Sequence, residues 1–237
     1  MPTVLKLGTM MALVWIAAPA VAQSDDPDFF ECEYGTDDEQ IAGCSALIQS
    51  GRLATADLAA AFYFRAEGYF SQAYFSQGDY ARAIADYSEA IRLDPQFVEA
   101  INGRGFAYRN QKDYARAIAD FSELIRLNPQ REYGFYDRGL SYKGKKDYAR
   151  AITDFSEVIR LNPQWADAFY HRGYAYFSTK DYVRATADFT EANRLYPNYA
   201  LALYGQSLAK AALGQSVESK ADIDRALAID PKVASDF

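Results

Sequence analysis

From residue 79 onward, apolar and polar positions recur at a spacing that fits helices. Between Tyr114 and Leu127, residues Ala117, Phe121, Leu124 and Ile125 fall four, three and one apart and share one helical face. Glu123 and Arg126 lie on the opposite, polar face. Each block of this kind runs into a proline: Pro95, Pro129, Pro163, Pro197 and Pro231, successive ones 34 residues apart. Proline lacks the helix donor and clashes with the preceding turn, so each helix stops there. The stretch from Asp79 to Pro95 recurs without a gap as Asp113 to Pro129, Asp147 to Pro163 and Asp181 to Pro197. A more divergent copy runs from Gln215 to Pro231. Such a fixed period marks a tandem array of two-helix units, each burying its apolar face against its neighbours.

The first helix of each unit has its own recurring marks. Gly105 and Tyr108 repeat as Gly139 and Tyr142, then as Gly173 and Tyr176. A residue without a side chain lets two helices cross closely, and the tyrosine packs beside that crossing. Arg104, Arg138 and Arg172 invite a phosphate or acidic-partner reading, but the recurring Asp86, Asp120, Asp154 and Asp188 are the expected structural partners. The pairs Glu89/Arg92, Glu123/Arg126, Glu157/Arg160 and Glu191/Arg194 are solvated ladders, each contributing a few tenths of a kcal/mol at most.

A 34-residue helix-turn-helix unit with small residues at Gly105 and Ala117, aromatics at Tyr108 and Phe121 and a closing Pro129 resembles the tetratricopeptide repeat. The resemblance implies an all-α fold, a right-handed α-solenoid of units at 64–97, 98–131, 132–165, 166–199 and 200–233, with a short tail at 234–237. The arginine ladder departs from the family, which usually places leucine there. In the first unit, Arg65 to Gly78 aligns with Arg104 to Lys112 only with an insertion, which predicts a longer or bent first helix. Residues 23–63 read as a degenerate helical cap: Ile41 to Ile48 mirrors Ile84 to Ile91, and Gly51 to Asp57 is expected to form a longer connection. No helix is expected after Pro231, which would leave an open face on the last unit around Leu227 and Ile229. A homodimer contact is one use for such a face.

In the family, stacked first helices line a concave groove that receives peptides or partner helices. At 100° per residue, Asn102, Phe106 and Arg109 lie roughly 90° from the packing side of Ile101, Gly105 and Tyr108. Their counterparts are Tyr136, Leu140 and Lys143, then Tyr170, Tyr174 and Phe177, then Tyr204 and Leu208, with Phe75 joining from the first unit. The alternative is that many of these side chains are core. Family members that clamp a carboxylate terminus use Lys, Asn and Arg at groove slots; here those slots hold mostly Tyr, Phe and Leu, which does not support that ligand.

Composition narrows the picture. The 237-residue chain carries a formal charge of −7 and 50% hydrophobic residues, enough for a core and unsuited to binding nucleic acid or an anionic membrane surface. Lys6, the apolar run from Leu7 to Ala18 and Ala20-Val21-Ala22 predict a signal peptide over residues 1–22, cut to leave Gln23 first and no membrane anchor. The expected location is the periplasm or the exterior. There, Cys32 and Cys44 have an opportunity to form a disulfide; otherwise Cys44 is a buried small apolar residue and Cys32 is free. No cofactor, metal site or catalytic set is predicted. His171, the one histidine, reads as an ordinary partly exposed side chain. The expected function is therefore a non-enzymatic scaffold for a protein or peptide partner. The alternatives are a self-associating envelope module and, more remotely, an envelope hydrolase dependent on His171.

Overall fold

The computed structural model describes residues 27–237 apart from Gln77 and Asp79. The expected signal peptide lies outside the described residues. The described chain is helical: α1 (Pro27–Tyr34), α2 (Asp37–Ser50), α3 (Thr55–Ser76), α4 (Ala81–Leu93), α5 (Val98–Asn110), α6 (Tyr114–Leu127), α7 (Glu132–Gly144), α8 (Tyr148–Leu161), α9 (Ala166–Ser178), α10 (Tyr182–Leu195), α11 (Ala200–Ala212), α12 (Ser216–Ile229) and α13 (Val233–Asp236). From α1 to α12 each helix packs on the one before it and the one after it, the arrangement of an α-solenoid.

The turn inside the second, third and fourth units is built the same way. Lys112, Lys146 and Lys180 adopt left-handed backbone (φ 61°, 60° and 66°). The amide of Asp113 then donates to the carbonyl of Tyr108 at 2.8 Å, closing the first helix. Asp113 in turn caps α6, accepting from the Arg116 amide at 3.1 Å and from Arg116 Nε at 2.6 Å. Asp147 and Asp181 do the same for α8 and α10.

In the three middle units a buried ring of the second helix lies against a glycine of the first. Phe121 meets Gly105, Phe155 meets Gly139 and Phe189 meets Gly173, where an added Cβ would come within 2.8, 2.9 and 3.0 Å of the ring. All three phenylalanines and Ala117, Ala151 and Ala185 are fully buried. The arginine ladder adds a polar clamp at each junction. Arg104, Arg138 and Arg172 each grip an aspartate of their own unit through two bonds of 2.7 to 3.0 Å: Asp120, Asp154 and Asp188. Each also donates to a serine of the preceding unit at 3.1 to 3.2 Å: Ser88, Ser122 and Ser156. Arg65 repeats the pattern with Asp86 and Ser45.

That clamp bears out the longer first helix expected of the first unit and shows where the extra length lies. Arg65 precedes Asp86 by 21 residues, where the later pairs are 16 apart, so α3 keeps the common register at Arg65 and carries five extra residues beyond it. The predicted boundary at residues 63 and 64 therefore falls inside one continuous helix. Gly51 to Asp57 is not a longer connection either. Gly51 caps α2 in a left-handed conformation (φ 64°) and α3 begins at Thr55, leaving a link as short as the others. Cys32 and Cys44 are joined as a disulfide that ties α1 to α2. At the other end, Pro231 is followed by the single turn α13, against the expectation of none. Val233 is fully buried against Leu203 and Ala226, while Leu227 and Ile229 stay 38% and 42% exposed.

The clamp gives a stability prediction. Arg138→Leu leaves the Asp154 carboxylate, only 4% exposed, without its cation. Because Arg138 itself keeps some solvent contact, the expected loss is about 3 kcal/mol, the low end for an orphaned buried charge. Arg138→Leu combined with Asp154→Leu should recover most of it, as read from urea unfolding of the single and double variants.

Candidate functional site

Successive first helices touch one another at α3–α5, α7–α9 and α9–α11, whereas successive second helices do not approach to the same extent among the described residues. The array therefore curves with its first helices on the inner side. The faces they present there form the candidate site.

On this face the residues read as groove from the sequence fall in three recurring columns. In the first, Tyr136 stacks on Trp165 with ring centroids 4.6 Å apart, and Tyr204 meets Phe237 at 5.6 Å. Asn102 is half-buried in the same column. Tyr170, also of this column, is core and not groove: it is 5% exposed, 5.1 Å from Tyr199 and 6.0 Å from Phe189. The second column holds Phe106, Leu140, Tyr174 and Leu208, all half-buried. The third holds Arg109, Lys143 and Phe177.

Phe75 does not belong with them. The five-residue extension of α3 carries it past the column, where it is 81% exposed with its ring against Tyr74. Cation–ring contacts confirm the register: Arg82 sits 4.4 Å from the Tyr69 ring just as Arg116 sits 4.4 Å from the Tyr108 ring. The first unit thus contributes Tyr63, Glu67 and Phe70 in the slots of Asn102, Phe106 and Arg109. Tyr63 packs on Phe97 at 5.1 Å, and Glu67 accepts from the Tyr87 hydroxyl. Burial raises the Glu67 carboxyl pKa, partly offset by that bond.

A fourth column, at positions 103, 137, 171 and 205, went unpredicted. Arg109 reaches across to Asp137 at 2.6 Å, and Lys143 Nζ lies 3.2 Å from His171 Nδ1. His171 is half-buried, as expected, but it is packed among rings rather than facing solvent alone. Its ring stacks on Phe155 at 5.6 Å and stands 4.9 Å from Tyr170 and 5.8 Å from Tyr136. Burial, then the charges of Lys143 and Arg109, hold it well below the usual histidine range, so it is neutral at pH 7. Asp137 is pushed up to about 6 by burial, against the pull of Arg109. Lys143 is pushed down to about 8 by burial and by the nearby Arg109 charge. It touches the neutral His171 and the Tyr174 ring, 5.0 Å away, with the Arg109 charge near it, so the middle of the groove carries a half-buried cation without a carboxylate partner among the described residues. The signal for this column was the helical neighbour of each first-column residue. Gly103, Asp137, His171 and Gly205 differ so much in kind that no pattern drew attention to them.

Among the described residues, no group of three or more His, Cys, Asp or Glu side chains is placed to hold a metal ion. No helix among them is long and apolar enough to cross a membrane.

Family models described as TPR repeat and tetratricopeptide repeat match residues 72–112, 98–131 and 136–200. The chain belongs to the tetratricopeptide-repeat proteins. No curated protein sequence matches it. Solved structures with the same fold include MamA from Desulfovibrio magneticus, at 21% identity and TM-score 0.63, covering 70% of this chain and 96% of that one. YrrB, described as a TPR protein with an unusual peptide-binding site, has 20% identity and TM-score 0.64, covering 81% and 96%. A tetratricopeptide repeat protein from Parabacteroides merdae has 15% identity and TM-score 0.68, covering 88% and 83%.

The shifted lysine sets a pH dependence. Its folded pKa of about 8 lies below the ordinary 10.5, so folding favours the neutral amine. The wild type carries the full destabilisation of the charge below pH 8 and sheds it as pH rises toward 10.5. Lys143→Met should therefore melt a few degrees above wild type at pH 7, a shift that about 1 kcal/mol makes in a domain of this size. The gap should shrink by pH 10.5 in thermal melts followed by circular dichroism.

Proposed function

We propose that this protein is a non-catalytic interaction scaffold of the cell envelope that receives an extended segment or helix of a partner protein along its inner face. The observation that carries this reading is the run of half-buried Phe106, Tyr136, Leu140 and Tyr174 beside Lys143 on the curved-in side of the array. Aromatic and aliphatic side chains that are partly exposed and held by neighbours supply contact area at low entropic loss. YrrB, with the same fold, is described as having a peptide-binding site, which agrees in kind. Export is supported by the sequence of residues 1–22 and by the Cys32–Cys44 disulfide, which belongs to an oxidising compartment.

A second reading, self-association through the last unit, draws on Leu227, Ile229 and the 82% exposed Val217. Light scattering that finds a monomer across a concentration series removes it.

Tyr136→Ala, Leu140→Ala and Tyr174→Ala together should reduce partner recovery in a crosslinked pull-down from native cells at least about tenfold, the effect of losing one or two anchor contacts. Helical content should persist, because Tyr170 and the buried spine are untouched. Recovery equal to wild type overturns the inner-face assignment. For export, mass spectrometry of the protein from the native host should find Gln23 as the first residue; an intact residue 1–22 segment on a cytoplasmic protein rejects it.

A further inference from the structure

The single turn α13 is fastened by Val233, and it delivers Phe237 across α11 onto the inner face. The Phe237 ring centroid lies 5.3 Å from Tyr174, 5.6 Å from Tyr204, 5.8 Å from Phe177 and 6.2 Å from Phe189. There is room for it because residue 205 is glycine. An added Cβ there would stand 2.7 Å from Phe237 Cε2 and 2.7 Å from Phe189 Cζ. In the two units before, the same column supplies a side chain to the third column: Asp137 faces Arg109, and His171 faces Lys143. In the last unit Phe177 has no such partner from residue 205, and Phe237 lies in the space left over.

We propose that this slot is the anchor pocket of the groove for an aromatic side chain of an incoming acidic segment, and that Phe237 fills it in cis until such a segment displaces it. The proposal rests on the inner-face reading above and adds to it the ligand class and the means of closure. Four rings, Tyr174, Phe177, Phe189 and Tyr204, surround Phe237 beside Gly205, so the pocket favours a ring. Tyr174, which contacts Phe237, also carries the Lys143 ammonium 5.0 Å from its centroid. A carboxylate arriving beside the ring would meet that cation, which has no carboxylate partner among the described residues and lies near the Arg109 charge. Phe237 is held by ring contacts on a one-turn tether. Displacement therefore needs Phe237 to swing away from these rings while Val233 keeps α13 seated.

The test uses a fluorescein-labelled hexapeptide with the sequence of residues 232–237, Lys-Val-Ala-Ser-Asp-Phe, and a control peptide ending in alanine. Anisotropy titrations are run on wild type and Phe237→Ala, after circular dichroism shows equal helical content. A plug closed nine-tenths of the time weakens apparent affinity about tenfold, so Phe237→Ala should bind the peptide about tenfold more tightly than wild type. The alanine-ending peptide should bind neither protein, and Lys143→Met in the Phe237→Ala background should weaken binding several-fold. If Phe237→Ala loses helical content, Phe237→Leu, which keeps an apolar filler, should show an intermediate gain. Equal peptide affinity for wild type and variant overturns the proposal, as does binding indifferent to the peptide's phenylalanine. A wild-type dimer that Phe237→Ala dissolves in sedimentation also overturns it, assigning the pocket to the same segment of a second copy. If the inner-face variants still lose their partner while Phe237→Ala changes nothing, the pocket assignment fails alone; if they too are without effect, both readings fall.

Discussion

The middle of the array depends on one close approach, a phenylalanine ring of the second helix laid against a glycine of the first. With the added Cβ within about 3 Å of the ring at Gly105, Gly139 and Gly173, no side chain fits there without moving the phenylalanine. That contact sets how near the two helices of a unit lie, and so the angle at which the next unit meets them. The spine of Tyr87, Phe121, Phe155 and Phe189 is fully buried along the chain, and its sameness makes the curvature regular. A regular curve is what brings columns of first-helix residues side by side on one face.

Against that constant spine, the inner face varies from unit to unit. It begins with Glu67 bonded to the Tyr87 hydroxyl and passes through the Arg109–Asp137 and Lys143–His171 pairs. It ends in a wholly aromatic region around Tyr174, Phe177 and Tyr204. Positions that pack between helices must repeat, because the geometry they serve repeats. Positions that look inward are released from that demand, and their variety is where recognition has room to be specific.

The repeating part was legible in the sequence for the same reason. The 34-residue period, the proline stops and the Arg104–Asp120 kind of pairing all follow from one pattern applied several times. What escaped was whatever broke the pattern. Phe75 was placed in the groove because counting back by the period is blind to the five added residues of α3, which move that slot to Phe70. Tyr170 was read as groove although Tyr199, from the link before α11, covers it, and burial by a neighbouring unit cannot be counted from one helix. Asp137 and His171 came to light only through partners 28 residues away, and Phe237 only through the missing side chain of Gly205.

The junction clamp has a direction. Each arginine holds an aspartate of its own unit and reaches back to a serine of the unit before, never forward. A newly added hairpin therefore finds its serine already presented by the unit ahead of it, whereas a hairpin lacking its predecessor loses that bond. Growth from the amino-terminal side, the order in which a ribosome releases the chain, completes each clamp on arrival; erosion from that same side undoes them one at a time.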